Sequence, residues 1–317
     1  LVAERFATEH VEFVVKPDAV ELVERLVWHH DQPFGDSSAV PTYLLSELTR
    51  SHVTVALCGD GGDELFAGYE RFAGALLLDL YRRVPEAVRK PLSSALATLP
   101  ATTARGRLAR LRRFMAHASR EVPDAYLGWV NVVPERWRQD LLGEATNWGV
   151  EDYYAKWERT SGADLLDRLL DLNLRTYLLD DLLPKVDRMS MAHALEVRSP
   201  FLDHELVEYA LRLPRAARVC GTSGKRVLKE AVKDLLPDKL LNRPKRGFAV
   251  PLDRWFRSDL RPYLEAAVGS PGARLRSYVK GDALDRLLGE HQAGVANHRD
   301  TLWTLLTLEV FLDKEGW

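Results

Sequence analysis

The chain has 317 residues, 46% of them hydrophobic and 28% charged, with a formal net charge of -2. This is an ordinary globular balance, long enough to bury a sizeable core in one large or two smaller domains. It makes no general electrostatic case for nucleic acid, and no apolar run reaches membrane-spanning length, so neither nucleic acid nor membrane is expected as a partner. The 2 cysteines, Cys58 and Cys220, cannot form a disulfide framework, and a reduced, cytoplasmic setting is the default.

Leu1 is not Met, and residues 2–10 read as the tail of a helix, followed by a strand from Glu12 to Val15. The chain therefore reads as opening in mid-domain, and no signal peptide is expected. Asp18 is placed to cap a helix through His30, with Val20, Val23, Leu26 and Val27 as its apolar stripe. Residues 31–38 form a loop rich in turn formers. Its plain reading is a connection that caps the next helix, while Asp31 and Asp36 keep a functional reading open. Pro41 suits a first helical turn, continued by Tyr43, Leu44, Leu45 and Leu48.

Val53, Val55 and Leu57 then alternate as a short buried strand. Gly59, Gly61 and Gly62 follow, with Asp60 and Asp63 between them, before helical spacing resumes at Glu64, Leu65, Phe66 and Tyr69. The segment reads as strand, glycine loop, helix. In an open α/β sheet such a loop lies at the carboxyl end of a strand, where ligands bind. Free N–H groups at a helix start suit anions, and two carboxylates in one turn suit a hard cation such as Mg²⁺. A bare βα turn with Asp63 as N-cap is the competing reading. Neither a Walker Gly-Lys-Ser/Thr nor a dinucleotide Gly-x-Gly-x-x-Gly spacing is present.

Beyond Phe66 the pattern predicts helices and no further strand. Segments 76–81, 92–99 and 108–115 are helical, and the basic run 105–113 reads as a solvated helix face. Trp129, Trp137, Trp148 and Trp157 read as core aromatics. Residues 165–183 form a long, strongly apolar helix. Glu196, Arg198 and Asp203 then fall within eight residues of an apolar stretch, and buried charges need partners. Either Arg198 and Asp203 pair structurally, or Glu196 is a carboxylate held in a pocket. A new helix starts near Asp203. Residues 221–225 form a small-residue loop opening another helix, where Lys225 opposes the helix dipole unless an anion sits beside it. Lys245, Arg246 and Gly247 lie in a basic loop that reads either as solvated or as a phosphate clamp. Helices at 252–256, 284–288 and 302–312 complete the chain.

Four separated motifs occur in one order: residues 59–69, Gly-Asp-Gly-Gly-Asp-Glu-Leu-Phe-Ala-Gly-Tyr; residues 195–203, Leu-Glu-Val-Arg-Ser-Pro-Phe-Leu-Asp; Gly224-Lys225; and residues 243–248, Arg-Pro-Lys-Arg-Gly-Phe. Together they make the chain resemble the synthetase domain of glutamine-hydrolysing asparagine synthetases, over roughly residues 1–260. β-Lactam synthetase and the lasso-peptide macrolactam synthetases look similar. The resemblance implies an α/β fold: a parallel-sheet, PP-loop-type nucleotide-binding core over residues 1–72, its first βα unit missing, then a mostly α-helical second half over 73–317 that returns site residues near 180–250.

The implied chemistry is adenylation of a substrate carboxylate by ATP, release of pyrophosphate, and displacement of AMP by an amine. The implied substrates are ATP, aspartate, and ammonia from a glutaminase domain, and a homodimer is compatible with the family. Residue by residue, Asp63 matches the Mg²⁺-binding Asp. Cys58, Gly59, Gly61 and Gly62 match the segment lining the nucleotide and substrate pocket. Lys225 and Lys245 match lysines contacting phosphates, with Lys245 credited with transition-state stabilisation and Arg246 beside it. Asp60 matches a position that is Glu in many asparagine synthetases, facing the carboxylate matched by Glu196; either is a candidate base. Two features depart from the pattern. The Ser-Gly-Gly-x-Asp-Ser loop, expected before residue 1, and the glutaminase domain are absent, so the fragment alone is expected to lack half its ATP site. A macrolactam-type or other amide synthetase, and a non-catalytic interaction module derived from the domain, are the alternatives.

Overall fold

A computed structural model describes residues 1–13, 19–85, 87, 89, 114–143, 150–243 and 250–316. Helices dominate, around a parallel pair of strands, β1 (Val55–Leu57) and β2 (Glu196–Arg198). The register sets Val55 opposite Glu196, Ala56 opposite Val197 and Leu57 opposite Arg198. The arrangement is thus α/β, as the sequence predicts, with three differences. Residues 196–198 form a strand although the pattern beyond Phe66 predicts none: Pro200 pushes Ser199 into an extended conformation, and a three-residue edge needs only one partner to become a strand. The strand at Val53–Leu57 is not buried. Val55 is 40% and Leu57 73% exposed, because β2 is its single neighbour among the described residues. The strand expected at Glu12–Val15 is not formed at residues 12 and 13, and residues 14 and 15 lie outside the described residues, as does Asp18.

Three apolar clusters hold the helices. The first joins the helix Ala19–His30, through Leu22, Val23 and Leu26, to Leu264, Leu284 and Leu302 of the C-terminal helices. The second packs Phe72, Ala75 and Leu78 of the helix Glu70–Arg82 against Tyr126, Trp157, Leu166, Leu169 and Leu170. Trp137 and Trp157 are buried core aromatics, as expected; Trp148 lies outside the described residues. The third is small and matters most for the glycine loop: Leu65 and Phe66 sit on Ala210, flanked by Phe201, Leu206 and Val207. Asp203 caps the helix His204–Arg212 by accepting from the N–H groups of Glu205 and Leu206, so it is not paired with Arg198.

The long apolar helix runs further than predicted. An α-helix at Leu165–Asn173 passes into a π-helical stretch at Leu174–Leu182, then into an α-helix at Leu183–Met191. Pro184 lies inside this continuous rod. Proline has no N–H to donate and its ring crowds the carbonyl one turn back. Widening the preceding turns to a π-helix accommodates it, and such segments recur at functional sites. This widened stretch carries Asp181 and Tyr177, whose ring packs on Tyr69 with centroids 5.8 Å apart.

His30 closes the helix Ala19–His30 at 1% exposure, its ring stacked on Phe34 at 4.1 Å. Burial, aided by the Arg188 charge, depresses its pKa to about 4. The unfolded chain takes up a proton near pH 6.5 that the folded chain refuses until about pH 4, so stability is lost as pH falls through that window. Relative to His30→Leu, the wild-type chain is expected to lose about 3 kcal/mol of unfolding free energy between pH 7 and pH 4, at about 1.36 kcal/mol per pKa unit. Urea unfolding at both pH values checks this; a pH-independent difference between the two proteins contradicts it.

Candidate active site

The carboxyl ends of β1 and β2 meet at the glycine loop. Cys58 N–H donates to the Arg198 carbonyl at 2.9 Å. Its Sγ lies 3.0 Å from Asp60 Oδ2 and 2.8 Å from Ser199 Oγ, which ties the loop to the end of β2. Burial and the neighbouring Asp60 push the Cys58 thiol pKa up, so it stays protonated. Gly61 turns the chain with φ +90°, and a side chain there would run into Leu202. The helix Gly62–Leu65 begins at once, carrying Asp63 in its first turn.

From the other half of the molecule, Lys225 arrives beside this turn. Its N–H donates to the Phe66 carbonyl at 2.7 Å, and its Nζ lies 3.0 Å from Asp63 Oδ1. The approach is made by glycine. A Cβ at Gly224 would overlap the Ala67 carbonyl, and one at Gly68 would overlap both Asp63 and Lys225. Lys225 itself has φ +59°, a left-handed conformation that costs a non-glycine residue about 1 kcal/mol. Upstream, Cys220 and Ser223 exchange N–H···O bonds of 2.9 Å. Arg218, 1% exposed, anchors that turn by donating to the Leu213 carbonyl and to Asp167. The anion that the Lys225 helix start called for is therefore Asp63.

A second group of polar residues adjoins the loop, and apart from Asp36 the sequence pattern did not mark it. Lys185, only 7% exposed, donates to Asp36 Oδ2 and Ser38 Oγ, both at 2.7 Å. Burial alone would raise the Asp36 pKa, but the Lys185 charge and the bonds from Lys185 and Ser38 hold it below the ordinary carboxylate range. Asp181 has the opposite fate: burial, then the Asp36 charge, push its pKa up to about 7. Arg71 lies over the Tyr69 ring at 3.8 Å and the Tyr177 ring at 4.3 Å, and its Nε donates to Tyr126 Oη at 2.9 Å. Tyr69 donates its hydroxyl to Glu64, a carboxylate 1% exposed. Such a group has no local sequence signature, because its members come from four distant segments. An acid or base inside an apolar helix, as at Asp181 and Lys185, was the one available hint.

The structure thus brings together Cys58, Gly59, Asp60, Gly61, Gly62, Asp63 and Lys225. It does not place Glu196 in a pocket. Glu196 faces solvent, its Oε1 2.7 Å from Arg198 Nε, with side-chain exposures of 54% and 64%. The reason is register: Glu196 stands opposite Val55, two residues behind the strand ends, and Ser199 takes the place beside Asp60 and Cys58. Lys245 and Arg246 lie outside the described residues. No group of three or more His, Cys, Asp or Glu is placed to hold a metal among the described residues.

A family model described as asparagine synthase matches residues 1–313. The chain belongs to the asparagine synthase family. It is 34% identical over 313 residues to a putative glutamine-hydrolysing asparagine synthetase of Mycobacterium tuberculosis (strain ATCC 25618 / H37Rv), covering 96% of this chain and 46% of the relative. It is 28% identical over 307 residues to asparagine synthetase [glutamine-hydrolyzing] 1 of Bacillus subtilis (strain 168), covering 96% and 47%. An amidase, chyE, of Penicillium rubens (strain ATCC 28089 / DSM 1075 / NRRL 1951 / Wisconsin 54-1255) is 25% identical over 309 residues, covering 85% and 44%. The chain spans about half the length of these curated relatives. No described helix is long and apolar enough to cross a membrane.

The Lys185–Asp36 pair carries a clear expectation for this asparagine synthase family chain. Removing one partner of a buried pair strands the other charge, at a cost of about 3–5 kcal/mol. Lys185→Met should therefore destabilise the fold by about 3 kcal/mol at pH 7, and acid should narrow the deficit as Asp36 protonates. Adding Asp36→Leu should restore most of the loss. Thermal unfolding of the two variants at pH 7 and pH 4.5 decides it, and a single variant as stable as wild type removes the pair from the framework of the site.

Proposed function

We propose that this chain is the synthetase part of an ATP-dependent amide ligase of the glutamine-hydrolysing asparagine synthase type, working in the cytoplasm. In this reading it adenylates the side-chain carboxylate of aspartate and releases pyrophosphate; ammonia from a glutaminase domain then displaces AMP to give asparagine. Residues 1–72 supply the nucleotide-facing loop, and 73–317 return the lysines to it. The observation carrying the reading is the meeting of Asp63 and Lys225 at 3.0 Å, from segments 162 positions apart (225 − 63), at the carboxyl end of a parallel strand pair.

Adenylation builds negative charge on the α-phosphate and on pyrophosphate, and an ammonium group held in place beforehand stabilises it without reorganisation. Lys225 is held in this way, by its own backbone bond to Phe66 and by the close approach at Gly224. Lys245 is assigned the same task. The donor set fits a nucleotide-borne Mg²⁺, which needs only one or two protein carboxylates because phosphate oxygens and waters complete its shell. Asp63, beside the Gly68 cradle, is the carboxylate that would hold it, and the ion would neutralise phosphate charge there. Asp60 is the better-placed base for the attacking amine, since it sits in the loop at the strand ends while Glu196 lies two residues behind them. Asp36 and Asp181 give the amino group of the substrate an acidic side to face.

The second reading, an amide ligase acting on another carboxylate, rests on Asp60: a side chain one methylene shorter than Glu alters the reach of the carboxylate into the pocket. Aspartate-dependent pyrophosphate release from ATP, measured on the full-length gene product, separates the two. Lys225→Ala and Lys245→Ala should each lower that release by about 100-fold or more, the scale of losing one preorganised charge partner, with the melting temperature of the protein kept. Near-normal release in either variant removes that lysine from the assigned role. Release with another carboxylate and none with aspartate selects the second reading.

A further inference from the structure

Arg71 lies at the centre of the tyrosine cluster beside the glycine loop. Its guanidinium sits in the corner made by the perpendicular Tyr69 and Tyr177 rings, at 3.8 and 4.3 Å from their centroids, and Nε is spent on Tyr126 Oη at 2.9 Å. Tyr126 is itself fixed, accepting from Asn173 Nδ2 at 3.1 Å. Tyr69 is fixed by Glu64. The fork is thereby held through Nε and both ring contacts. Yet Nη2 is buried and has no hydrogen-bond partner among the described residues. A buried charged N–H left unpaired is expensive, and native structures rarely leave one without a reason.

Asp181 completes the argument. It lies one helical step from Tyr177 along the π-helical stretch, close enough that its charge acts on Tyr177 and the Arg71 charge acts on it. Its Oδ1 is also buried without a donor among the described residues. Arg71 and the raised-pKa carboxyl of Asp181 share one buried cluster, and Arg71 Nη2 and Asp181 Oδ1 each lack a hydrogen-bond partner among the described residues. Direct pairing would relieve both. A cluster with Arg71 on one side and Asp181 on the other offers a positive and an acidic pole, which suits a dipolar molecule.

We propose that Arg71 is a specificity-determining residue that receives the non-reacting carboxylate of an α-amino acid substrate, with the acid side of the cluster at Asp181 facing its ammonium group. The inference rests on the ligase reading and deepens it. It explains how a dicarboxylic amino acid is oriented: the carboxylate captured by Arg71 cannot react, so the other carboxylate is presented to the nucleotide. A planar guanidinium with fixed stacking matches a carboxylate in a way that an ammonium group cannot.

The test is calorimetric titration of the full-length gene product, with Mg²⁺ and α,β-methylene-ATP present. The probes are L-aspartate and its α-carboxamide, L-isoasparagine, which keeps the side-chain carboxylate and loses the α one. Wild type should prefer L-aspartate by about 30-fold or more, the scale of a hydrogen bond to a charged group. Arg71→Gln should bind L-aspartate about 30-fold more weakly and L-isoasparagine unchanged, so the preference collapses while nucleotide affinity stays. Equal loss of both probes in Arg71→Gln means a merely structural arginine and overturns the proposal, as does no loss of either. No wild-type preference overturns it without any variant. If Arg71→Gln does not fold, Arg71→Lys keeps the charge without the fork and should forfeit about tenfold of the preference; full preference in that variant overturns the proposal. Nucleotide binding and pyrophosphate release report on the ligase reading independently. Failure of both in wild type sinks that reading and this inference together, while their persistence with an indifferent Arg71 sinks only the latter.

Discussion

Everything about this site depends on a close approach between two backbones. Ala67 and Gly68 on one segment and Gly224 and Lys225 on the other come so near that a single added carbon would overlap atoms already there. The bond from Lys225 N–H to the Phe66 carbonyl fixes their relative height, and the Lys225 ammonium group then has Asp63 within reach. An ion pair about a quarter exposed contributes little stability alone. Its value is positional: it marks where a positive and a negative side chain converge at the end of the strand pair. The apolar weld of Leu65 and Phe66 onto Ala210 supplies the energy that holds the loop down.

Around that contact the chain keeps a set of buried charges that no packing argument requires. Lys185 holds Asp36, while Arg71 stacks on the Tyr69 and Tyr177 rings. The π-helical stretch before Pro184 is the device that makes this possible. An unbroken α-helix would rotate Tyr177 and Asp181 by a fraction of a turn relative to Lys185. A proline in mid-helix is normally a cost of about 3 kcal/mol, and here it follows a widened stretch that carries Tyr177 and Asp181.

The glycine loop was legible because its chemistry is local. Three glycines and two acids within five residues cannot be explained by helix or strand propensity, and the structure places all of them at one strand end. Lys225 was legible for a similar reason, since a lysine opening a helix signals an anion nearby. The apolar neighbours of Glu196 leave two readings open, a pocket carboxylate or a structural charge pair beside it, and in this structure its side chain faces solvent. In a strand only alternate residues share a face, and the parallel register puts Glu196 behind the strand ends, with Arg198 for company. Asp36 keeps two readings in the sequence, and Lys185, Asp181 and Arg71 carry no local signal, since each alone is an ordinary charged residue.

What the sequence determined by itself was the order of motifs, the strand–loop–helix unit at 55–65, most helix positions and the family. All of these rest on short-range patterns: periodicity, turn chemistry and residue spacing. What tertiary structure alone decided was which charges meet. That depends on strand register, on a helix widened ahead of Pro184 and on glycines that allow contact, each coupling residues more than a hundred positions apart. Side-chain pairing is a property of distance in space, and spacing along the chain carries no measure of it.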